Sequence, residues 1–361
     1  MISFTTEEMQ SFRCKAMVRR GVRQHAEIYI SEWNQKQVVV KDACGHWNGK
    51  EAAIVELAVL KMLQGAPSAH CLPMLGYYEC PNRVCIVMEH CSGGDLFEYM
   101  LSVPRTSPVA DAFVARSDAI DQIKTIAHQM AHGLRDLHVQ GWAHGDLSLE
   151  NVLLKESVAH GAAIEAVLFD YGQAHPLSDL NYYSQGKDGY RAPELVLPGR
   201  RSRSIDWAAC DCFALGVCIF ALVFKTTPMH VHLDFKDSDP VWKNVKEGNR
   251  DVLPLSACSH LADASALQDL LCGLLCEDPH ARMTAHEVLA HRFFAPPAVG
   301  QSDVPAMAPP LVSELRDSGA PTESPISSSS ADAEHDGAGT QLADDADGLG
   351  TPSVGMEITL E

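Results

Sequence analysis

His144-Gly145-Asp146-Leu147-Ser148-Leu149-Glu150-Asn151, with Phe169-Asp170-Tyr171-Gly172 downstream of it, is the stretch on which the reading of this 361-residue chain turns. Each piece sits beside a short apolar run, Val152-Leu153-Leu154 after the first and Ala166-Val167-Leu168 before the second. Two carboxylates and an amide, Asp146, Asp170 and Asn151, are thus carried on loops at the ends of strand-like segments. Moving a phosphoryl group requires a carboxylate at the attacking hydroxyl and hard oxygen ligands for Mg²⁺. Asp146 suits the first task, and Asn151 and Asp170 suit the second. The loop from Asp146 to Asn151 is short enough for both to converge on one phosphate.

Outward from that stretch the chain changes character. Residues 16–40 carry strand-like runs: Ala26-Glu27-Ile28-Tyr29-Ile30 alternates, and Gln37-Val38-Val39-Val40 is β-branched. Lys50 to Leu63 has helical formers at helical spacing. A second strand pair is expected at 72–79 and 83–90, turning at Cys80-Pro81-Asn82. After Gly93-Gly94 the pattern is mainly helical, at 95–102, 118–140, 206–224, 266–276 and 284–294, with short strands at 152–155 and 166–170. A strand-rich front and a helix-rich back predict an α+β protein in two lobes.

These segments resemble the catalytic and metal-binding loops of the eukaryotic protein kinases, whose usual forms are H-R-D-L-K-x-x-N and D-F-G. The resemblance continues in order on both sides. Val38-Val39-Val40-Lys41 is similar to the strand whose lysine holds the α- and β-phosphates, and Glu56 matches the glutamate that pairs with it. Val87-Met88-Glu89-His90-Cys91 resembles the hinge, where backbone groups bind adenine, with Met88 as gatekeeper. Gly21, Ile28, Val39 and Leu153 fall at positions lining the nucleotide, and Asp95 at an acidic position used for ribose or substrate. Ala192-Pro193-Glu194 resembles the end of an activation segment, Asp211 to Gly216 the start of a buried central helix, and Glu277 to Thr284 the segment whose arginine, here Arg282, pairs with Glu194. The resemblance implies a two-lobed kinase fold over 15–295, with the small lobe at about 15–90 and the large lobe at about 91–295, and ATP and Mg²⁺ as cofactors. Glu150 beside Asn151 is similar to the serine/threonine type. Glu150 and Asp95 also match positions that select arginine upstream of the target, so a protein substrate with upstream basic residues is implied. The Ser92-to-Met100 segment and the His291-to-Phe294 ending look most like the calcium/calmodulin-kinase branch.

The pattern departs from the family in five places. Gly145 replaces arginine, Tyr171 replaces phenylalanine, and the glycine-rich loop is reduced to Gly21, with Arg23 and Ala26 at later glycine positions. Side chains there restrict how closely backbone approaches phosphate. Val39 stands where a small alanine usually roofs adenine. The fifth departure is an exchange: Ser148 occupies the position of the lysine that holds the γ-phosphate, and Lys187 occupies the position of the activation-segment threonine. A transition state needs positive charge near the phosphoryl oxygens whichever loop carries it, so Asp146, Lys187 and Ser148 form the expected catalytic set. Two alternatives remain open. The eroded loop suits a nucleotide-poor pseudokinase acting as a scaffold. His-Gly-Asp-Leu is also similar to small-molecule kinases of the aminoglycoside and choline type, which lack the Ala-Pro-Glu segment.

Charge and composition bound the rest. The net charge is −19, and twelve Asp/Glu against the single Arg316 place −11 of it in the last 65 residues. That acidity argues against nucleic-acid or anionic-membrane binding. The twelve Cys lack metal-ligand or disulfide spacing and read as reduced thiols of a cytoplasmic protein, with a nuclear one allowed. The run from Phe213 to Phe224 is too short to span a bilayer. Residues 1–14 read as an N-terminal extension and 296–361 as a disordered acidic tail rich in Pro, Ser, Gly and Asp. A monomer is expected.

Overall fold

The computed structural model describes residues 2–14, 18–23, 26–44, 47–103, 117–156, 163–179, 186–196, 205–228 and 263–295. The acidic tail expected at 296–361 lies outside the described residues.

The front of the chain is a five-stranded antiparallel sheet in the order β1-β2-β3-β5-β4, from β1 (Val18–Arg23), β2 (Ala26–Trp33), β3 (Lys36–Cys44), β4 (Met74–Cys80) and β5 (Arg83–Glu89). Asn34 and Gln35, at φ 51° and 64°, close the β2–β3 hairpin, the left-handed pair that a two-residue turn between twisted strands needs. Helix α2 (Trp47–Gly65) follows β3. It buries Ala53, Leu57, Leu60 and Leu63, one face at helical spacing, and carries Glu56 into the same interior.

Register divides the sheet residues between two faces. Ile28 pairs with Lys41 and Ile30 with Val39. Lys41 pairs with Ile86 and Val39 with Met88, and Gly21 pairs with Ile28. Opposed residues share a face, so Gly21, Ile28, Val39, Lys41 and Met88 look the same way. The other face presents Tyr29, Val38, Val40, Cys85 and Val87, and it is covered by residues 2–14. Ser3 bridges Tyr77 in parallel at the β4 edge. Helix α1 (Thr6–Cys14) then crosses the sheet, with Phe4, Met9 and Phe12 completing this second core. Thr5 and Glu8 form a reciprocal cap at its start, Glu8 N to Thr5 Oγ1 at 3.2 Å and Thr5 N to Glu8 Oε2 at 2.7 Å. Ser31 Oγ donates to Phe12 O at 2.9 Å. The segment read from sequence as an extension is therefore packed against the sheet.

The rest is mainly helical: α3 (Leu96–Ser102), α4 (Ser117–Val139), α5 (Pro193–Val196), α6 (Trp207–Phe224), α7 (Ala264–Leu274) and α8 (Ala285–Leu289). Two small ladders join them, β6 (Trp142–Ala143) with β9 (His175–Pro176) and β7 (Val152–Leu154) with β8 (Ala166–Leu168). The helix expected across 284–294 divides: α8 stops at Leu289, and a 3₁₀ turn at Arg292–Phe294 begins where His291 Nδ1 accepts from Phe293 N at 3.3 Å. By length and composition α6 could cross a membrane, but 94% of it is buried inside the fold. It is the core of the helical part.

Candidate active site

The residues singled out in sequence converge where the sheet meets the helical part. Lys41, on β3, points from the sheet's inner face to Glu56 Oε2 at 2.7 Å and Asp170 Oδ1 at 2.8 Å. All three are nearly buried. Burial alone would lower the pKa of the ammonium, but Glu56 and Asp170 reverse that and raise it. Burial pushes Glu56 up, Lys41 opposes this, and the Asp170 charge adds to it. Asp170 reaches Lys41 from a left-handed backbone, φ 62° and ψ 69°. Aspartate tolerates that conformation better than most residues.

Behind Asp170, Tyr171 is buried and its hydroxyl donates to Leu168 O at 2.8 Å. The ring packs 5.4 Å from that of His144, which in turn reaches Phe169 O through Nε2 at 3.1 Å. The two loops are thus tied to each other.

Asp146 and Asn151 meet as the loop spacing predicts. Asn151 Nδ2 donates to Asp146 O at 2.7 Å and to Asp146 Oδ2 at 3.2 Å. Burial raises the Asp146 carboxyl and the Asp170 charge adds to the rise; His144, the Asn151 hydrogen bond and Lys187 oppose it. Two carboxylates that repel across a cleft beside an amide fit a divalent cation, which would relieve the repulsion. Mg²⁺ binds through one or two carboxylates, with phosphate oxygens completing its shell. Asn151 and Asp170 are the residues that would hold it.

The backbone around Asp146 is fixed from below. Asp211, buried on α6, accepts from His144 N at 2.8 Å, Gly145 N at 3.0 Å and His138 Nε2 at 2.9 Å. Burial would raise its carboxyl, yet His138, His144 and the Gly145 amide hold it below its ordinary value. Gly145 has φ +76°, and a Cβ there would stand 2.3 Å from Gln173 O. Glycine therefore fits a place where the family pattern has arginine. The role of His138 was missed in the sequence; a histidine near a helix end gives no local signal of a partner 73 residues away.

The exchanged pair is placed less simply. Ser148 is buried, and its carbonyl accepts from Asn151 N at 3.0 Å. Lys187 lines the same pocket as Asp146, but its ammonium is hydrogen-bonded to Glu150 Oε1. Gly21, Ile28, Val39 and Met88 are on the Lys41 face, as the register shows. The side chain of Arg23 lies outside the described residues. Glu89 ends β5 exposed, Cys91 is buried, and Leu153 bridges Asp95. Asp95 caps α3 through Glu98 N at 2.9 Å.

Comparison with known proteins agrees with this geometry. A family model described as the protein kinase domain matches residues 20–294. Serine/threonine-protein kinase CG17528 of Drosophila melanogaster is 28% identical over 264 residues, 71% of this chain and 30% of that protein. Maternal embryonic leucine zipper kinase of Xenopus tropicalis is 27% identical over 219 residues, 59% of this chain and 28% of its own. Serine/threonine-protein kinase H1 of Mus musculus is 28% identical over 263 residues, 70% and 54%. The chain spans about 30% of the length of the fly relatives it matches.

Proposed function

The chain belongs to the protein kinase family, and from that premise we propose that it is a serine/threonine protein kinase, transferring the γ-phosphoryl group of ATP to protein hydroxyls with Mg²⁺. The observation that carries the reading is the buried Lys41 held between Glu56 and Asp170 at 2.7 and 2.8 Å. A scaffold gains nothing from maintaining that costly buried trio beside Asp146 and Asn151.

Each residue then has a task. Lys41 holds the α- and β-phosphates, and Asn151 and Asp170 hold the metal. Bound Mg-ATP supplies the phosphoryl group and neutralises charge on its oxygens. Asp146 orients the acceptor hydroxyl and takes its proton as the new oxygen–phosphorus bond forms and the bond to the leaving diphosphate breaks. Lys187 supplies the positive charge that Ser148 cannot. Gly21, Ile28, Val39, Met88 and Leu153 enclose the adenine, with backbone groups of Glu89 and Cys91 binding its edge. Asp95 and Glu150 face the substrate, for which upstream basic residues are preferred. The reading includes a catalytic domain at 15–295 acting as a monomer in the cytoplasm. The ten free thiols among the described residues favour a reducing compartment.

A scaffold that binds nucleotide poorly is the second reading. It is favoured by the Gly21–Ile28 pairing, which draws the remaining glycine into a ladder, and by Val39 on the nucleotide face. Thermal unfolding with and without Mg-ATP tests the choice. A Mg-ATP concentration of about 100 Kd should raise the wild-type Tm by about 5 °C or more, and Asp170→Asn should abolish the rise. A wild type that shows no rise supports the scaffold.

A further inference from the structure

Lys187 is bound to one anion and lines a pocket with another. Its ammonium is bound to Glu150 Oε1, and it shares a pocket with Asp146. Glu150 is one residue before Asn151, in the 3₁₀ turn that ends the catalytic loop. Its other oxygen, Oε2, is buried with no hydrogen-bond partner. The lysine side chain is 42% exposed and the glutamate 18%, so the cation lies on the solvent side of the carboxylate. Gly186 and Gly189, at φ +52° and +84°, bracket the lysine with backbone that can rearrange at low cost.

A substrate cation that approaches Glu150 therefore meets a site already filled by the protein itself. We infer that Lys187 is an internal stand-in for a substrate cation on Glu150, and that a basic residue of the substrate displaces it and frees it for the phosphoryl oxygens beside Asp146. The inference rests on the phosphotransfer reading above and adds a coupling between substrate choice and turnover. Replacing one half-exposed ion pair by another on the same carboxylate is nearly neutral, within about threefold in affinity. The released lysine acts only where negative charge develops in the transition state. The basic residue is thus felt in kcat, with little effect on binding.

The test uses matched serine peptides, one series with Arg placed in turn at each position before the serine and one with Gln there. Peptide affinity is measured by fluorescence anisotropy on the full chain without nucleotide, and kcat and KM are measured separately. The variants are Glu150→Gln and Lys187→Met, the latter removing the ammonium but keeping an unbranched side chain. For the wild type, the best-placed Arg should raise kcat about tenfold or more while Kd changes less than about threefold. Lys187→Met should bind the Arg peptide about tenfold tighter than the Gln peptide, because Glu150 is then open, with low turnover on both. Glu150→Gln should turn over the Gln peptide as fast as the Arg peptide. A folded Lys187→Met protein with equal affinity for both peptides overturns the inference whatever the turnover. A wild type in which Arg acts through KM alone overturns it as well. If the wild type phosphorylates neither peptide while Lys187→Met prefers Arg, the phosphotransfer reading fails and the exchange on Glu150 stands.

Discussion

Glu194 and Arg282 lie 88 residues apart in the chain and meet in a two-armed ion pair, Nη1 to Oε1 at 2.7 Å and Nη2 to Oε2 at 3.0 Å. The arginine side chain is fully buried. It also donates to Ala209 O at 2.9 Å and Cys276 O at 3.0 Å, and its guanidinium lies 5.1 Å from the Phe213 ring. The pair joins α5, at the end of the segment carrying Lys187, to the segment between α7 and α8, and the bond to Ala209 O extends the tie to α6, which carries Asp211.

Arg282→Ala leaves the Glu194 carboxylate buried beside unpaired carbonyls. The expected loss is about 3–5 kcal/mol, read as a fall in the urea midpoint. Arg282→Lys should recover part of it, because an ammonium cannot bond both oxygens of the carboxylate in parallel. An unchanged midpoint in Arg282→Ala would contradict the assignment.

Gly145→Ala tests why the catalytic loop departs from its usual form. The left-handed backbone alone costs a residue with a Cβ about 1–2 kcal/mol. The added carbon would also stand 2.3 Å from Gln173 O. A lower Tm is expected, together with reduced turnover, because Asp146 follows directly. Restoring arginine should be at least as damaging, whereas a Gly145→Arg protein of normal Tm would show that the loop relaxes.

Much of this site was legible because its chemistry is local. Asp146 and Asn151 share one loop and Asp170 sits beside its strand, so their spacing placed them, whereas Lys41 and Glu56 were placed by the resemblance to the kinase pattern. The cover of the sheet's outer face was not read. Phe4, Met9 and Phe12 are sparse in a polar stretch, although Thr5 and Glu8 at capping-box spacing marked a helix start. Tertiary pairs such as His138 with Asp211 leave no periodic trace. The Lys187–Glu150 pair was hidden for another reason: each residue had a plausible role of its own.

Gly76 makes room for the covering segment. A Cβ there would meet Phe4 Cε2 at 2.4 Å and Ile2 O at 2.9 Å. Gly76→Val should therefore expel residues 2–4, and Phe4→Ala should cost about 3–5 kcal/mol if its pocket does not collapse. Removing residues 1–14 uncovers Tyr29, Val38, Val40, Cys85 and Val87, so a lower Tm and aggregation are expected. A truncated chain with wild-type Tm would show that the cover adds no stability.

His128 and His132, 4.6 Å apart between ring centroids, predict an acid-side loss of stability. Burial lowers both below the ordinary histidine value. The charge of His70 adds to the shift at His128; His128, Arg135 and His70 add to it at His132, against Asp136. The unfolded chain, with histidines near pH 6.5, then binds more protons than the folded one. Stability from this source is complete above about pH 6.5 and lost as pH falls through the folded pKa values. The difference in Tm between wild type and His132→Gln, followed from pH 7.5 to 5.5, should shift in favour of the variant as pH falls. A constant difference would refute the assignment.

Phosphoryl transfer to a generic basic protein, wild type against Asp146→Asn with Mg-ATP, tests the central claim most directly. The account predicts that the wild type is active and that Asp146→Asn falls about 100-fold or more, while its Tm still rises with Mg-ATP as the wild type's does. Equal turnover in the two proteins, or no turnover in a folded wild type, would contradict it.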